Sequence, residues 1–162
     1  MQKITPFLWF DDQAEEAANF YVSLFPDAKI GHVARYDAAG AKVSGRPEGS
    51  AMTVSFSLAG QNFIALNGGP IYKFSEAVSF MVNCETQEEV DKLWTALTAD
   101  GGEESQCGWL KDRFGLSWQI VPTLLSTLLG DKDPVKAQRV MQAMLSMKKI
   151  ECAALQRAYD GK

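Results

Sequence analysis

The sequence predicts an α+β fold of two βαβββ modules followed by helices. Three observations carry this: strand-like and helix-like runs follow one another in the order βαβββ, the same order starts again after residue 76, and the remainder is helical in pattern.

Residues 4–10 are apolar and rich in aromatics, as a buried strand is, and they run into Asp11-Asp12, either of which can cap a helix. Ala14, Ala17, Ala18, Tyr21, Leu24 and Phe25 then share one face at 3.6-residue spacing, and Pro26-Asp27 stops the helix. Three strand-like runs follow at 29–36, 52–58 and 61–67, the last two joined at Ala59-Gly60 as in a hairpin. Residues 37–50 hold three Gly and one Pro and read as a mobile loop.

In the second run, residues 77–83 are strand-like, Thr86 and Glu89 form a capping box, and Val90, Leu93, Trp94 and Leu97 make a helix face ended by Gly101-Gly102. A shift of 73 residues lays Ala17, Phe20, Tyr21 and Leu24 on those four positions, as an internal repeat does. Residues 103–111, a turn at Asp112-Arg113-Phe114-Gly115 and a strand at 116–121 complete the module. Leu124, Leu125, Leu128 and Leu129 begin the helical part, and Asp133-Pro134 starts a helix expected to run to about Tyr159. The expected divisions are 1–72, 73–122 and 123–162.

A chain of 162 residues with 46% hydrophobic and 22% charged side chains has enough apolar surface for one sizeable core or two half-sized modules. A net charge of −4 disfavours nucleic acid and anionic membranes, whose binding needs clustered Lys and Arg. No apolar run reaches a membrane span of ~20 residues, and Met1-Gln2-Lys3 leads straight into a strand without a signal-peptide core. Cys84, Cys107 and Cys152 have no C-x-x-C spacing, so they read as reduced thiols. The expected location is the cytoplasm.

Several strings are more specific: TPFLWF at 5–10, Phe20-Tyr21, ALNGGP at 65–70, CGWLKDRFGLSWQIVP at 107–122 and Met147-Lys148-Lys149-Ile150. With them the chain resembles the PhnB-like family of the vicinal-oxygen-chelate superfamily, which includes glyoxalase I, bleomycin-resistance proteins and extradiol dioxygenases. The resemblance covers nearly the whole chain and implies a glyoxalase/bleomycin-resistance/dioxygenase-like fold in which each sheet half-encloses a pocket. The family is often labelled 3-demethylubiquinone 3-methyltransferase, which implies S-adenosylmethionine. Methyltransferases of the usual type need a Gly-rich turn after a strand, and here the first strand meets Asp11-Asp12-Gln13.

In metal-using members of the superfamily, the first and fourth strands of each module supply His or Glu ligands. Carried onto this chain, those positions are Thr5, Ala65, Ala77 and Gln119, or Pro6 and Val78 if a strand slips by one residue. None of these can close a transition-metal shell, so no metal and no cofactor are expected. With Gln119 facing the pocket, alternation brings Ser117 and Val121 along, and Phe7, Trp9, Phe63, Asn67, Ser79 and Met81 on neighbouring strands; Trp109 and Lys111 reach the rim. Phe7 and Phe63 serve equally well as core fillers.

Such a lining suits a small, partly apolar ligand, because nothing in it titrates near neutrality. His32, the only histidine, and Cys107 have no evident catalytic partner. The alternatives are a divalent-metal isomerase, lyase or dioxygenase, and the methyltransferase of the family label. A homodimer is expected, since the resemblance implies paired modules and Val140, Met141, Met144, Met147 and Leu155 line one side of the last helix.

Overall fold

The computed structural model describes residues 2–162, which form two compact units, one through Phe74 and the other Ser75–Lys162. The first contains β1 (Phe7–Phe10), α1 (Ala14–Leu24), β2 (Lys29–Arg35), α2 (Ala38–Ser44), β3 (Ala51–Leu58) and β4 (Gln61–Asn67). Its sheet runs β1-β4-β3-β2, with β1 and β4 parallel and the other pairs antiparallel. The predicted apolar stripe of α1 is its buried face, Ala14, Ala17, Ala18, Tyr21 and Leu24, and α1 packs on β3 and β4. Small residues at the first turns let the helix approach closely, and Tyr21 fills the remaining space beside Phe56 at a centroid distance of 6.2 Å.

Two expectations for this unit are corrected. Neither Asp11 nor Asp12 caps α1: the N-cap is Gln13, without a side-chain hydrogen bond, and the Ala14 N–H instead donates to Asn67 Oδ1 at 2.7 Å. The segment 37–50 is not simply a loop, because Asp37 accepts from the Gly40 N–H and Gly45, at φ +72°, closes α2 in the left-handed region. Its ends are joined by Tyr36 N–H to Ser50 O and Gly49 N–H to Tyr36 O.

The second unit contains β5 (Ser79–Cys84), α3 (Gln87–Thr98), β6 (Glu103–Glu104), β7 (Trp109–Lys111), β8 (Ser117–Pro122), α4 (Thr123–Leu129), α5 (Pro134–Leu145) and α6 (Cys152–Asp160). The sheet order β5-β8-β7-β6 repeats that of the first unit, again with its outer pair parallel. Thr86 caps α3 as read, its Oγ1 accepting from Glu89 N–H, but Glu89 Oε2 accepts from Glu85 N–H, one residue before the cap, rather than from Thr86 itself. α3 buries Val90, Leu93, Trp94 and Leu97.

The single helix expected from Asp133 to about Tyr159 is two helices. Asp133 caps α5 as read, but the chain leaves helical geometry at Ser146 and resumes at Cys152. No Gly or Pro breaks it; tertiary partners do. Cys107 and Gly108 donate their N–H groups to the carbonyls of Met147 and Lys148. Gln87 donates to Ile150 O and accepts from Cys152 N–H, and Lys149 pairs with Asp91 at 2.6 Å and Glu151 at 3.1 Å. Ile150 is thereby driven into a core with Val121, Leu125, Leu128, Val140 and Leu155, against which Met144 and Met147 pack. The Met-rich stripe is therefore consumed within its own unit, and of its members Met141 remains exposed. Among the described residues no helix is long and apolar enough to cross a membrane.

Candidate functional site

Each helix covers one face of its sheet, so the chemistry available to a ligand lies on the opposite face. On β1 that face carries Phe7, which is 56% exposed, and Trp9, whereas Leu8 and Phe10 are buried. Trp9 is held in place: its Nε1–H donates to Gly69 O at 2.8 Å, and Tyr72 meets it edge-on at 5.0 Å. A Cβ on Gly68 would lie 2.3 Å from the Trp9 ring, so Gly68 is what allows the indole to lie against the backbone.

The register of β4 places two candidates elsewhere. Leu8 pairs with Ala65 and Phe10 with Asn67, whereas Phe7 pairs with Ile64 and Trp9 with Leu66. Phe63, Ala65 and Asn67 therefore lie on the helix side, buried; Phe63 stacks on Phe56 at 5.2 Å. Asn67 has its polar groups engaged, Oδ1 by Ala14 N–H, Nδ2 by Ala51 O and its carbonyl by the Tyr36 hydroxyl. The residues that share the face of Phe7 and Trp9 are Ile64 and Leu66, so the one-residue slip falls on β4 and brings in no ligand either. The repeat held no signal for this: the 73-residue shift lays Phe7 on Phe80, which pairs with Trp118 rather than with Ser117 or Gln119.

In the second unit the remaining candidates do share a face. Met81 and Trp109 both pair with Gln119, and Ser79 and Lys111 with Ser117. Gln119 Nε2 donates to Ser79 Oγ at 2.9 Å, which fixes the amide and directs its carbonyl oxygen elsewhere. Val121, at the far end of the strand, is covered by the tail helices. Lys111 Nζ lies 3.0 Å from Glu76 and 3.4 Å from Glu103. The Glu76 carboxyl is held below its ordinary range chiefly by the Lys111 hydrogen bond, and Lys111 is held above its own by Glu76 and then Glu103. A cavity of about 340 Å³ adjoins Thr5, Lys29, Ser55, Ser57, Asn62 and Ile64 in the first unit. One of about 210 Å³ adjoins Glu76, Glu103, Glu104, Trp109, Lys111 and Ser117 in the second.

The other chemistry-bearing residues have structural partners. Asp112 is buried and accepts from the N–H groups of Phe114 and Leu116 and from Trp118 Nε1, so it organises the turn that Gly115 completes at φ +87°. His32 is exposed, and its backbone N–H donates to Ser55 Oγ at a β-bulge. Cys107 is in a left-handed turn tied to Met147. Burial pushes the Cys84 thiol up to about 12 and raises Cys152 too, the reverse of an activated nucleophile. Among the described residues no three His, Cys, Asp or Glu side chains are grouped to hold a metal ion.

The 3-demethylubiquinone-9 3-methyltransferase family model matches residues 2–121. The solved structure of a Bacillus cereus protein named PhnB, carrying that same family label, is 37% identical, with a TM-score of 0.67, covering 75% of this chain and 100% of its own. Protein PA1353 of Pseudomonas aeruginosa shares the fold at 19% identity and TM-score 0.59, covering 75% and 98% of the two chains. None of the curated proteins compared with the chain matches it. The family match over residues 2–121 and the 37%-identical PhnB structure show that this chain belongs to the PhnB-like, 3-demethylubiquinone-9 3-methyltransferase-labelled family.

Proposed function

We propose that the protein binds a small, partly apolar organic molecule on the sheet face that carries Ser79, Met81, Trp109 and Gln119, without a tightly held transition metal. The observation that carries this reading is the register: it gathers an indole, a thioether, an oriented amide and a hydroxyl around one spot, the mixture of apolar area and few polar anchors that ligand sites use. Phe7, Trp9, Ile64 and Leu66 offer a more apolar surface of the same kind in the first unit.

The alternative of a divalent-metal isomerase, lyase or dioxygenase has less support, since Thr5, Ala77 and Gln119 provide one amide carbonyl and one hydroxyl. The family label would require S-adenosylmethionine, and the residues present do not fit it. β1 passes into Asp11-Asp12-Gln13 rather than a glycine turn, and the Ala14 N–H at the start of α1 is already taken by Asn67.

A homodimer belongs to the same proposal. Phe7, Val78 and Met81 are 56%, 65% and 55% exposed, and a second copy is the commonest cover for such surface. Three unpaired thiols agree with a reducing, cytoplasmic setting. The decisive test is native mass spectrometry of wild-type protein and Gln119→Ala: a co-purifying organic mass lost in the variant is expected. A mass retained equally by both would refute the assigned face.

A further inference from the structure

The cavity of about 210 Å³ in the second unit has a polar wall that the ligand-binding reading leaves unexplained. Ser117 is 1% exposed, and its Oγ is buried with no hydrogen-bond partner. A buried hydroxyl without a partner costs free energy, so its retention beside a cavity points to a partner that enters from outside. On the face of Lys111 stand two carboxylates, Glu76 and Glu103, against that one ammonium, whereas Glu104, opposite Leu110, turns its carboxylate to the helix side. Lys111 spans Glu76 and Glu103. Glu104 accepts from Trp94 Nε1 at 2.8 Å and lies 3.6 Å from Lys148 Nζ. The wall is therefore net negative, and the Trp109 ring borders it.

We propose that this cavity takes the ammonium group of a small organic amine. Ser117 Oγ accepts one ammonium hydrogen, Glu76 and Glu103 supply the counter-charge, and Trp109 offers a π face to the cation or its organic body. The volume equals the share of about seven waters, enough for an amine of roughly ten heavy atoms. A bare divalent ion fits less well, because among the described residues no three His, Cys, Asp or Glu side chains are grouped to hold one. An organic anion would face the carboxylates of Glu76 and Glu103. This assignment rests on the ligand-binding reading and narrows its ligand class.

Titration calorimetry of the full chain with benzylamine and with benzyl alcohol, its uncharged analogue of equal size, tests it. Benzylamine is expected to bind about tenfold more tightly than the alcohol. Glu103→Gln, an exposed change, should weaken the amine about fivefold while leaving the alcohol unchanged, and Ser117→Ala should weaken the amine by a similar factor. Unfolding curves identify any variant whose loss is a folding defect. Equal affinity for the two compounds, or an amine affinity unmoved by Glu103→Gln, overturns the ammonium assignment while the broader reading stands. No heat from benzylamine at millimolar concentration overturns it too, and the broader reading is then judged by the Gln119→Ala comparison alone.

Discussion

At the scale of single residues, Asn67 illustrates how a polar side chain next to the proposed ligand surface serves the fold. The side chain replaces the missing cap of α1 and ties β4 to Ala51, while the Asn67 backbone carbonyl accepts from the Tyr36 hydroxyl. Asn67→Ala should leave buried donors and acceptors unmatched and cost about 2–4 kcal/mol, read as a lower urea midpoint at unchanged slope. Gln119 is the contrasting case. Its amide makes one hydrogen bond, to Ser79, and is half-buried, so Gln119→Ala should cost no more than about 1 kcal/mol of stability. A larger loss in the same urea titration would show that Gln119 holds the fold rather than a ligand.

At the scale of elements, the connection between α5 and α6 depends on a close approach. Gly108 has φ +84°, and a Cβ there would lie 2.8 Å from both Ile120 O and Ile150 Cδ1. Gly108→Ala should therefore cost about 2–4 kcal/mol and loosen residues 146–151, visible as faster hydrogen exchange of the Cys107 and Gly108 amides that bind Met147 and Lys148. The Lys149–Asp91 pair adds a pH dependence. Asp91 is depressed, chiefly by its hydrogen bond from Lys149, so its contribution is present above the ordinary carboxylate value and is lost as pH falls through the depressed one. Lys149 is raised, chiefly by Asp91, so its contribution is present below the ordinary lysine value and is lost as pH climbs through the raised one. Both side chains are partly exposed and screened, which keeps the effect small. Between those limits stability should be flat in this pair. Asp91→Asn should reduce the acid-side loss, and an unchanged acid limb in urea titrations would assign that loss to other carboxylates.

For the whole molecule, the C-terminal helices are part of the second unit's core, where Ile150, Val140 and Leu155 have no exposed surface. Ending the chain after Leu145 should expose Val121, Leu125 and Val140 and abolish the sharp near-ultraviolet dichroism of a packed core. Sedimentation equilibrium should report a dimer; a 17.8 kDa species persisting at high micromolar concentration would contradict it. Elemental analysis of protein purified without chelator should find no stoichiometric zinc, nickel or iron, and about one such metal per chain would return the metal-enzyme alternative to first place.

The sequence by itself determined the module order, the buried stripes of α1 and α3, the Thr86 and Asp133 caps and the turn around Asp112. In each case the cause is local: 3.6-residue periodicity, a side chain within reach of its own amides, or a glycine where the backbone turns. Only tertiary structure decided which way β4 faces, because an alternating strand reads equally well in either register until its parallel pairing with β1 is fixed. It also decided that Asn67 caps a helix 53 positions away and that the helical pattern after Asp133 breaks at 146–151. The amides of Cys107 and Gly108 and the side chain of Gln87 there outcompete the helix's own hydrogen bonds. Such long-range partners leave no periodic trace in the chain, which is why the fold was legible and the facing of Phe63 and Asn67 was not.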